Sequence, residues 1–218
     1  MQKLTVNSPC KINLSLDILG LREDNYHYVD MILQTVSLSD TVCITRNESQ
    51  KITVSTNLIY LPNNEKNIAF KSAVLFFDAC QIPKKDRGVH IRIDKKVPIC
   101  AGLGGGSSNS AAVFCGLNKI YNTNLSKEEL SKISEQAGAD VSFLISCGAA
   151  RVSGIGEIIK PIEPLKDCHI LIVKPIFGAK TKVVYQKYDS MPSLKRVDTD
   201  SIEKALKTND LKLLCENM

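Results

Sequence analysis

Residues 97–114 read VPICAGLGGGSSNSAAVF: an apolar strand end, a turn with Gly102, Gly104, Gly105 and Gly106, then small residues passing into an apolar helical pattern. Three consecutive glycines cost backbone entropy unless something must approach the chain closely. The stretch has no lysine, so it is not G-x-x-x-x-G-K-[ST]. Nor is it a dinucleotide fingerprint, because the third spaced glycine is missing and no βαβ unit surrounds it. A flexible linker would separate two packing units, whereas this segment joins a strand to a helix. The remaining reading is a phosphate cradle, with backbone N–H groups of residues 104–108 converging on anionic oxygens at the positive end of the following helix. Ser107 and Ser108 would add hydroxyl donors or a magnesium ligand. The positive charge for such a site must come from elsewhere in the chain.

Upstream, KINLSLDIL (11–19) alternates, with Ile12, Leu14, Leu16 and Ile18 on one face and Lys11, Asn13, Ser15 and Asp17 on the other. REDN turns the chain, and YVDMILQTVSL (28–38) and TVCITR (41–46) read as two further strands. ITVST (52–56) is another strand, LPNNE (61–65) a loop, IAFKSAVLFFDAC (68–80) a helix entered at Asn67, and VHIRID (89–94) a strand. Downstream, SNSAAVFCGLNKIY (108–121) reads as a helix packed on a sheet. LSKEELSKISEQAG (125–138) is a second helix, capped by Ser126, with Glu129 completing a capping box and Gly138 ending it. VSFLISCG (141–148) fits helix and strand equally. RVSGIGEII (151–159) reads as a hairpin around Ser153–Gly156, and CHILIV (168–173) as a buried strand. TKVVYQKY (181–188), SIEKAL (201–206) and NDLKLLCEN (209–217) read as helices. Alternating strands come early and most helices late, which favours α+β over a doubly wound fold.

Composition narrows the class. Hydrophobic content of 44% and charged content of 23% suit a soluble globular chain. The net charge of +5 is scattered, with no basic run longer than two, which fits an anionic small molecule and argues against a nucleic-acid groove. The eight cysteines include no C-x-x-C pair and mostly sit in apolar runs such as FFDAC and LISCG, where a reduced thiol acts as a small hydrophobe. The opening MQKLTVNSPCKINLSLDIL has no secretory or transit pattern, and no apolar stretch reaches the roughly 20 residues of a membrane span. The expectation is a protein of the reducing cytoplasm with no membrane partner. Oligomeric state stays open.

Three segments resemble one family. P-x-x-x-G-L-G-G-G-S-S-N-x-A-A, from Pro98 to Ala112, is similar to the glycine-rich ATP motif of the GHMP small-molecule kinases. SPCKINLSLDILGLREDNYH (8–27) resembles their P-x-K-I-N-L…R-x-D-G-Y-H signature, and GADVSFLISCGAARVSGIGEII (138–159) their G-A-D-V-P-F-F…G-x-G-E stretch. The resemblance covers essentially the whole chain. The resemblance implies an α+β, two-lobe GHMP kinase fold, with an ATP-binding N-terminal domain over 1–160 and part of a C-terminal domain over 161–218. It also implies ATP-dependent phosphorylation of a hydroxyl on a small cytidine diphosphate substrate of isoprenoid synthesis, with Mg2+ accompanying ATP.

The same resemblance distributes roles. Lys11 would stabilise the transferred charge and Asp140 would act as base, although Lys11 taken alone reads as a solvated lysine and Asp140 as a helix N-cap. Pro98, Gly102, Leu103, Gly104, Gly105, Gly106, Ser107 and Ser108, with Asn67 and Lys96, would hold ATP; Asn67 alone reads as a cap and Lys95–Lys96 as surface charge. Asn13, Tyr26, His27 and Tyr185 would hold the substrate, Tyr26 and Tyr185 sandwiching the cytosine while His27 bonds its edge. No carboxylate identifies itself as a metal ligand. Asn25 stands where the family turn carries glycine and tolerates φ > 0; Ser142 stands where it carries proline. The family's third glycine-rich motif does not appear before Met218, so the second lobe is expected to be incomplete and the chain weakly active or inactive. Two rivals remain: a GHMP kinase for mevalonate or homoserine, and a non-catalytic nucleotide-binding homologue.

Overall fold

The alternation of KINLSLDIL belongs to a 19-residue strand, β1 (Lys3–Leu21), and the two strands expected over 28–46 are one, β2 (His27–Arg46). The break expected near Ser39–Asp40 is absent because Asp40 is not turn punctuation: it is fully buried in extended chain and hydrogen-bonded there. The structure, a computed structural model, describes residues 2–178, 181–191 and 196–218. These form two compact units, and β1 and β2 each contribute to both.

The first unit comprises Met1–Cys10, Val36–Val97 and Gly104–Ser146. Here β3 (Ile52–Thr56) runs parallel to β4 (Val89–Asp94), and β4 runs antiparallel to the end of β2, from Thr41 opposite Asp94 to Arg46 opposite Val89. The helices are α1 (Ile68–Ala79), α2 (Gly105–Ile120), α3 (Lys127–Ser134) and α4 (Ala139–Ser146). Helix α2 packs against α1 and α4, and α3 against α4. Gly116 lets α2 approach the strands: a Cβ there would lie 2.4 Å from Ile44 Cδ1. Phe76 meets Phe77 and Phe114 edge-on, with centroids 6.0 and 6.5 Å apart, in the favoured aromatic geometry.

Local signals in this unit hold. Ser126 and Glu129 form the expected capping box, and a 3-10 turn over Glu135–Ala137 leads to Gly138. VSFLISCG resolves as helix α4. Its period was unreadable because Val141 through Ile145 are all buried, leaving no polar face to reveal it.

The second unit comprises Lys11–Thr35, Pro98–Leu103 and Cys147–Met218. The expected hairpin is β5 (Ala149–Gly154) and β6 (Ile158–Ile162), antiparallel to each other, with β5 antiparallel to the first part of β2. The expected helices are α5 (Thr181–Asp189), α6 (Thr199–Thr208) and α7 (Leu211–Asn217). Asn209 adopts φ 53 between α6 and α7, and Asp198 and Asp210 cap the two helices. The core gathers Leu14, Ile32, Ile202, Ala205, Leu206 and Leu214. Beside it, Arg151 holds Asp30 through two hydrogen bonds of 2.6 and 2.8 Å and reaches Glu203 at 3.1 Å, and Lys160 bonds Glu203 as well.

Three expectations fail. CHILIV is not a buried strand: residues 168–173 carry no strand, and Leu171 and Val173 are 88% and 81% exposed. β-propensity builds a strand only where a neighbour completes the ladder, and none does so among the described residues. Nor is Lys11 the solvated lysine it reads as on its own: Lys11, Ser15 and Asp17 are buried while Leu16 is exposed. The Ser15 hydroxyl accepts the Ile32 N–H, and Arg196 donates to Asp17 at 2.8 Å. Finally, no disulfide joins the eight cysteines, as their spacing implies, yet Cys147 of LISCG is exposed, and only Cys10 is fully buried. Burial pushes the Cys10 thiol pKa up.

Phe114→Ala should therefore lower the unfolding free energy by about 3–5 kcal/mol and Ile202→Ala by about 2–5 kcal/mol, read from denaturant midpoints. For Glu203, burial opposes ionisation, but Lys160 and Arg151 outweigh it and hold the pKa below 4.5. A depressed folded pKa stabilises above the unfolded value and stops doing so as pH falls through the folded one. Stability should drop on acidification below about pH 4.5, with a shallower loss in Glu203→Gln.

Candidate functional site

In the first unit, the glycine-rich segment supplies the start of α2. Gly104 is the N-cap at φ 64, a left-handed conformation natural to glycine. The first turn of a helix leaves its N–H groups without intrahelical acceptors. The Ser108 N–H is already bonded to Gly104 O at 2.8 Å, so those donors run from Gly104 to Ser107, one residue short of the expected span. A Cβ on Gly105 would lie 3.1 Å from Val97 Cγ1 and 3.2 Å from Lys95 Nζ, whereas one on Gly106 would meet nothing closer than 3.9 Å. Packing thus restricts Gly105, while Gly106 leaves room for a ligand.

The serines divide. Ser108 is buried; its hydroxyl donates to Pro9 O at 2.7 Å and accepts from Ser8 at 2.8 Å. Its expected role as a hydroxyl donor to phosphate is thus occupied by the fold. Ser107 is half-buried.

Beneath this turn lies a buried polar cluster that sequence reasoning missed. Asp40 Oδ1 accepts the N–H groups of Lys96 (2.7 Å) and Val97 (2.8 Å). Asp40 Oδ2 accepts Asn109 Nδ2 at 2.9 Å and pairs with the Lys95 ammonium, which also donates to Asn109 Oδ1 at 3.1 Å. Asn109 Nδ2 donates to Ser8 Oγ at 2.8 Å. Lys95 is therefore a buried, neutralised cation rather than surface charge, while the Lys96 side chain is exposed. Ser8, Asp40, Lys95 and Asn109 are too far apart in sequence for any spacing rule to join them.

Two other first-unit candidates have local settings. Asn67 caps α1, accepting the Ala69 N–H at 2.9 Å and donating to Pro62 O at 2.8 Å. Asp140 lies inside the first turn of α4 rather than at its N-cap, half-buried where the helix dipole favours a carboxylate.

In the second unit, Lys11 is only 8% exposed, which overturns its reading as a solvated lysine. Its Nζ donates to Asn13 Oδ1 at 2.7 Å, as a two-residue spacing along one strand face allows, and its N–H donates to Leu103 O at 3.0 Å. Gly102 has φ 71, Leu103 is buried and Pro98 exposed.

The turn over residues 22–26 seals itself. Asn25 takes φ 63 as expected, and Asp24 accepts from Arg22 and from the Tyr26 N–H, which hold its carboxyl below the usual range. Tyr26 presents its ring to solvent, 62% exposed. His27 packs against Tyr185 with centroids 4.8 Å apart, and its Nε2 lies 2.7 Å from Asp189 Oδ1. A carboxylate only accepts, so Asp189 holds the ring proton on Nε2. Asp189 was missed, although its i,i+4 spacing from Tyr185 on α5 was a usable signal.

The described residues thus contain a helix N-terminus suited to anions, a buried lysine beside an asparagine, and an aromatic–histidine cluster oriented by a carboxylate. No group of three or more His, Cys, Asp or Glu side chains among them is arranged to hold a metal. No helix among them is long and apolar enough to cross a membrane.

Comparison with known proteins identifies the family and the fold. Residues 67–152 match the model of the GHMP kinases N terminal domain. The chain is 44% identical over 208 residues to a 4-diphosphocytidyl-2-C-methyl-D-erythritol kinase of Clostridium perfringens (strain ATCC 13124), covering 95% of this chain and 71% of that one. It is 44% identical over 215 residues to the Clostridium tetani protein of the same name, covering 99% and 75%. A solved 4-(cytidine 5'-diphospho)-2C-methyl-D-erythritol kinase superposes with a TM-score of 0.69 at 28% identity, covering 94% of this chain and 72% of that one. With identity of this depth running nearly end to end, and the α+β GHMP kinase fold shared, the chain belongs to the 4-diphosphocytidyl-2-C-methyl-D-erythritol kinase family.

Proposed function

We propose that this chain transfers the γ-phosphoryl group of ATP to the 2-hydroxyl of 4-diphosphocytidyl-2-C-methyl-D-erythritol. In the step, the substrate oxygen bonds to the γ-phosphorus, the bond to the β-phosphate bridging oxygen breaks, ADP leaves, and Asp140 takes the hydroxyl proton. Lys11 stabilises the charge on the transferred group, and the N–H groups of Gly104 to Ser107 hold ATP phosphates, with Pro98, Gly102, Leu103, Asn67 and Lys96 completing the ATP contacts. Phosphoryl transfer asks mainly for positioning and charge neutralisation, which this set would supply.

The observation that supports the reading is the packing of His27 on Tyr185, with Tyr26, the residue before His27 in the chain, presenting an exposed ring suited to stacking on a nucleobase. Mevalonate and homoserine carry no base to stack. Asn13, held by Lys11, would bind the polyol end. Magnesium would accompany ATP and neutralise its phosphate charge, with the Ser107 hydroxyl as the candidate protein ligand. A nucleotide-binding portion over 1–160, residues of a second lobe over 161–218 and a cytoplasmic location belong to the same proposal.

ADP release measured with the cytidyl substrate against mevalonate and homoserine tests the reading, and only the first should support turnover. Asp140→Asn should cut turnover by about 10²–10⁴-fold while ATP affinity stays within about twofold; near-normal turnover would remove Asp140 as the base. Tyr26→Ala should weaken substrate binding by about 1–3 kcal/mol with little change in ATP KM, as titration of each substrate would reveal.

A further inference from the structure

A fully buried carboxylate is costly unless every oxygen finds a donor. Both oxygens of Asp40 are fully engaged, and the identity of the donors is informative. Lys96 and Val97 immediately precede Pro98, and Asn109 immediately follows Ser108. One carboxylate on β2 therefore grips the chain on both sides of the glycine-rich segment 98–108.

The same cluster reaches the helix start itself. Lys95 Nζ would lie 3.2 Å from a Gly105 Cβ, and Ser8, bonded to Asn109, carries the chain of hydrogen bonds through Ser108 to Pro9 O. Buried ion pairs add little stability over well-packed apolar residues of the same volume. What they do supply is directional geometry, and preorganised N–H donors are effective because they need no rearrangement when a phosphate arrives.

We propose that Asp40, acting with Lys95, Asn109 and Ser8, is a positioning residue for the ATP phosphates. It sets the direction of the N–H groups of Gly104 to Ser107 by pinning the flanks of their segment, without itself touching the nucleotide. This rests on the reading of the segment as the ATP site.

The test is Asn109→Ala, which frees the downstream flank while leaving Asp40 paired with Lys95 and the two N–H groups. Amide hydrogen exchange in residues 98–108 should quicken about tenfold or more and ATP KM should rise about tenfold, while the KM for the cytidyl substrate stays within about twofold. Ser8→Ala should move both readouts in the same direction and Ser8→Thr, which keeps the hydroxyl, should restore them. Phe143→Leu, in the same unit but outside the cluster, supplies a variant of reduced thermal stability whose ATP KM should remain that of the parent chain. Unchanged exchange in Asn109→Ala overturns the proposal, as does faster exchange with an unaltered ATP KM. A parent chain that neither binds nor consumes ATP counts against the functional reading instead, and the exchange data then decide alone whether the cluster pins the segment.

Discussion

A carboxylate removed from water must be satisfied by the protein around it, and the first unit is arranged about that requirement at Asp40. Its oxygens draw in the backbone at the end of β4, the Lys95 ammonium and the Asn109 amide of α2. The strand end and the helix start are thereby held to one point on β2. A helix N-terminus binds anions by direction as much as by charge, so the network that aims it matters as much as the glycines that open it. The Asp40–Lys95 pair is internally neutral, and the cluster shapes the site without adding net charge to it.

The second unit meets a similar need with Arg151, whose guanidinium gathers Asp30 and Glu203 beside an apolar core of Leu14, Ile32 and Ile202. Its pKa is raised, first through the Asp30 hydrogen bonds, so the arginine remains a permanent cation. On the same unit, Asp189 orients His27 against Tyr185. In both places a polar side chain remote in sequence fixes the direction of a neighbouring group.

Much of the fold and part of the site were legible in the chain. The capping box at Ser126, the hairpin near Gly154, the helix entered at Asn67 and the glycine-rich helix start all appear where local pattern puts them. These signals depend on residues a few positions apart, where backbone geometry alone sets the contact. Lys11 beside Asn13 was legible for the same reason. CHILIV misled because β-propensity describes what a segment can do once a neighbour pairs with it. Ser108 misled because its hydroxyl is bonded to Pro9 and Ser8, near the start of the chain.

The amino-acid sequence by itself determined the α+β class, the left-handed glycine that opens α2, the helix caps and the set of residues resembling a small-molecule kinase. Only the tertiary structure decided which polar side chains are wet. It buried Lys11 and Lys95, ran one strand unbroken through Asp40 and bonded that carboxylate to both flanks of the glycine-rich segment, and set Asp189 against His27. The physical reason is the range of the interactions. Caps and turns are settled within a few residues, whereas burial and the pairing of buried polar groups depend on partners that meet only when the chain is folded.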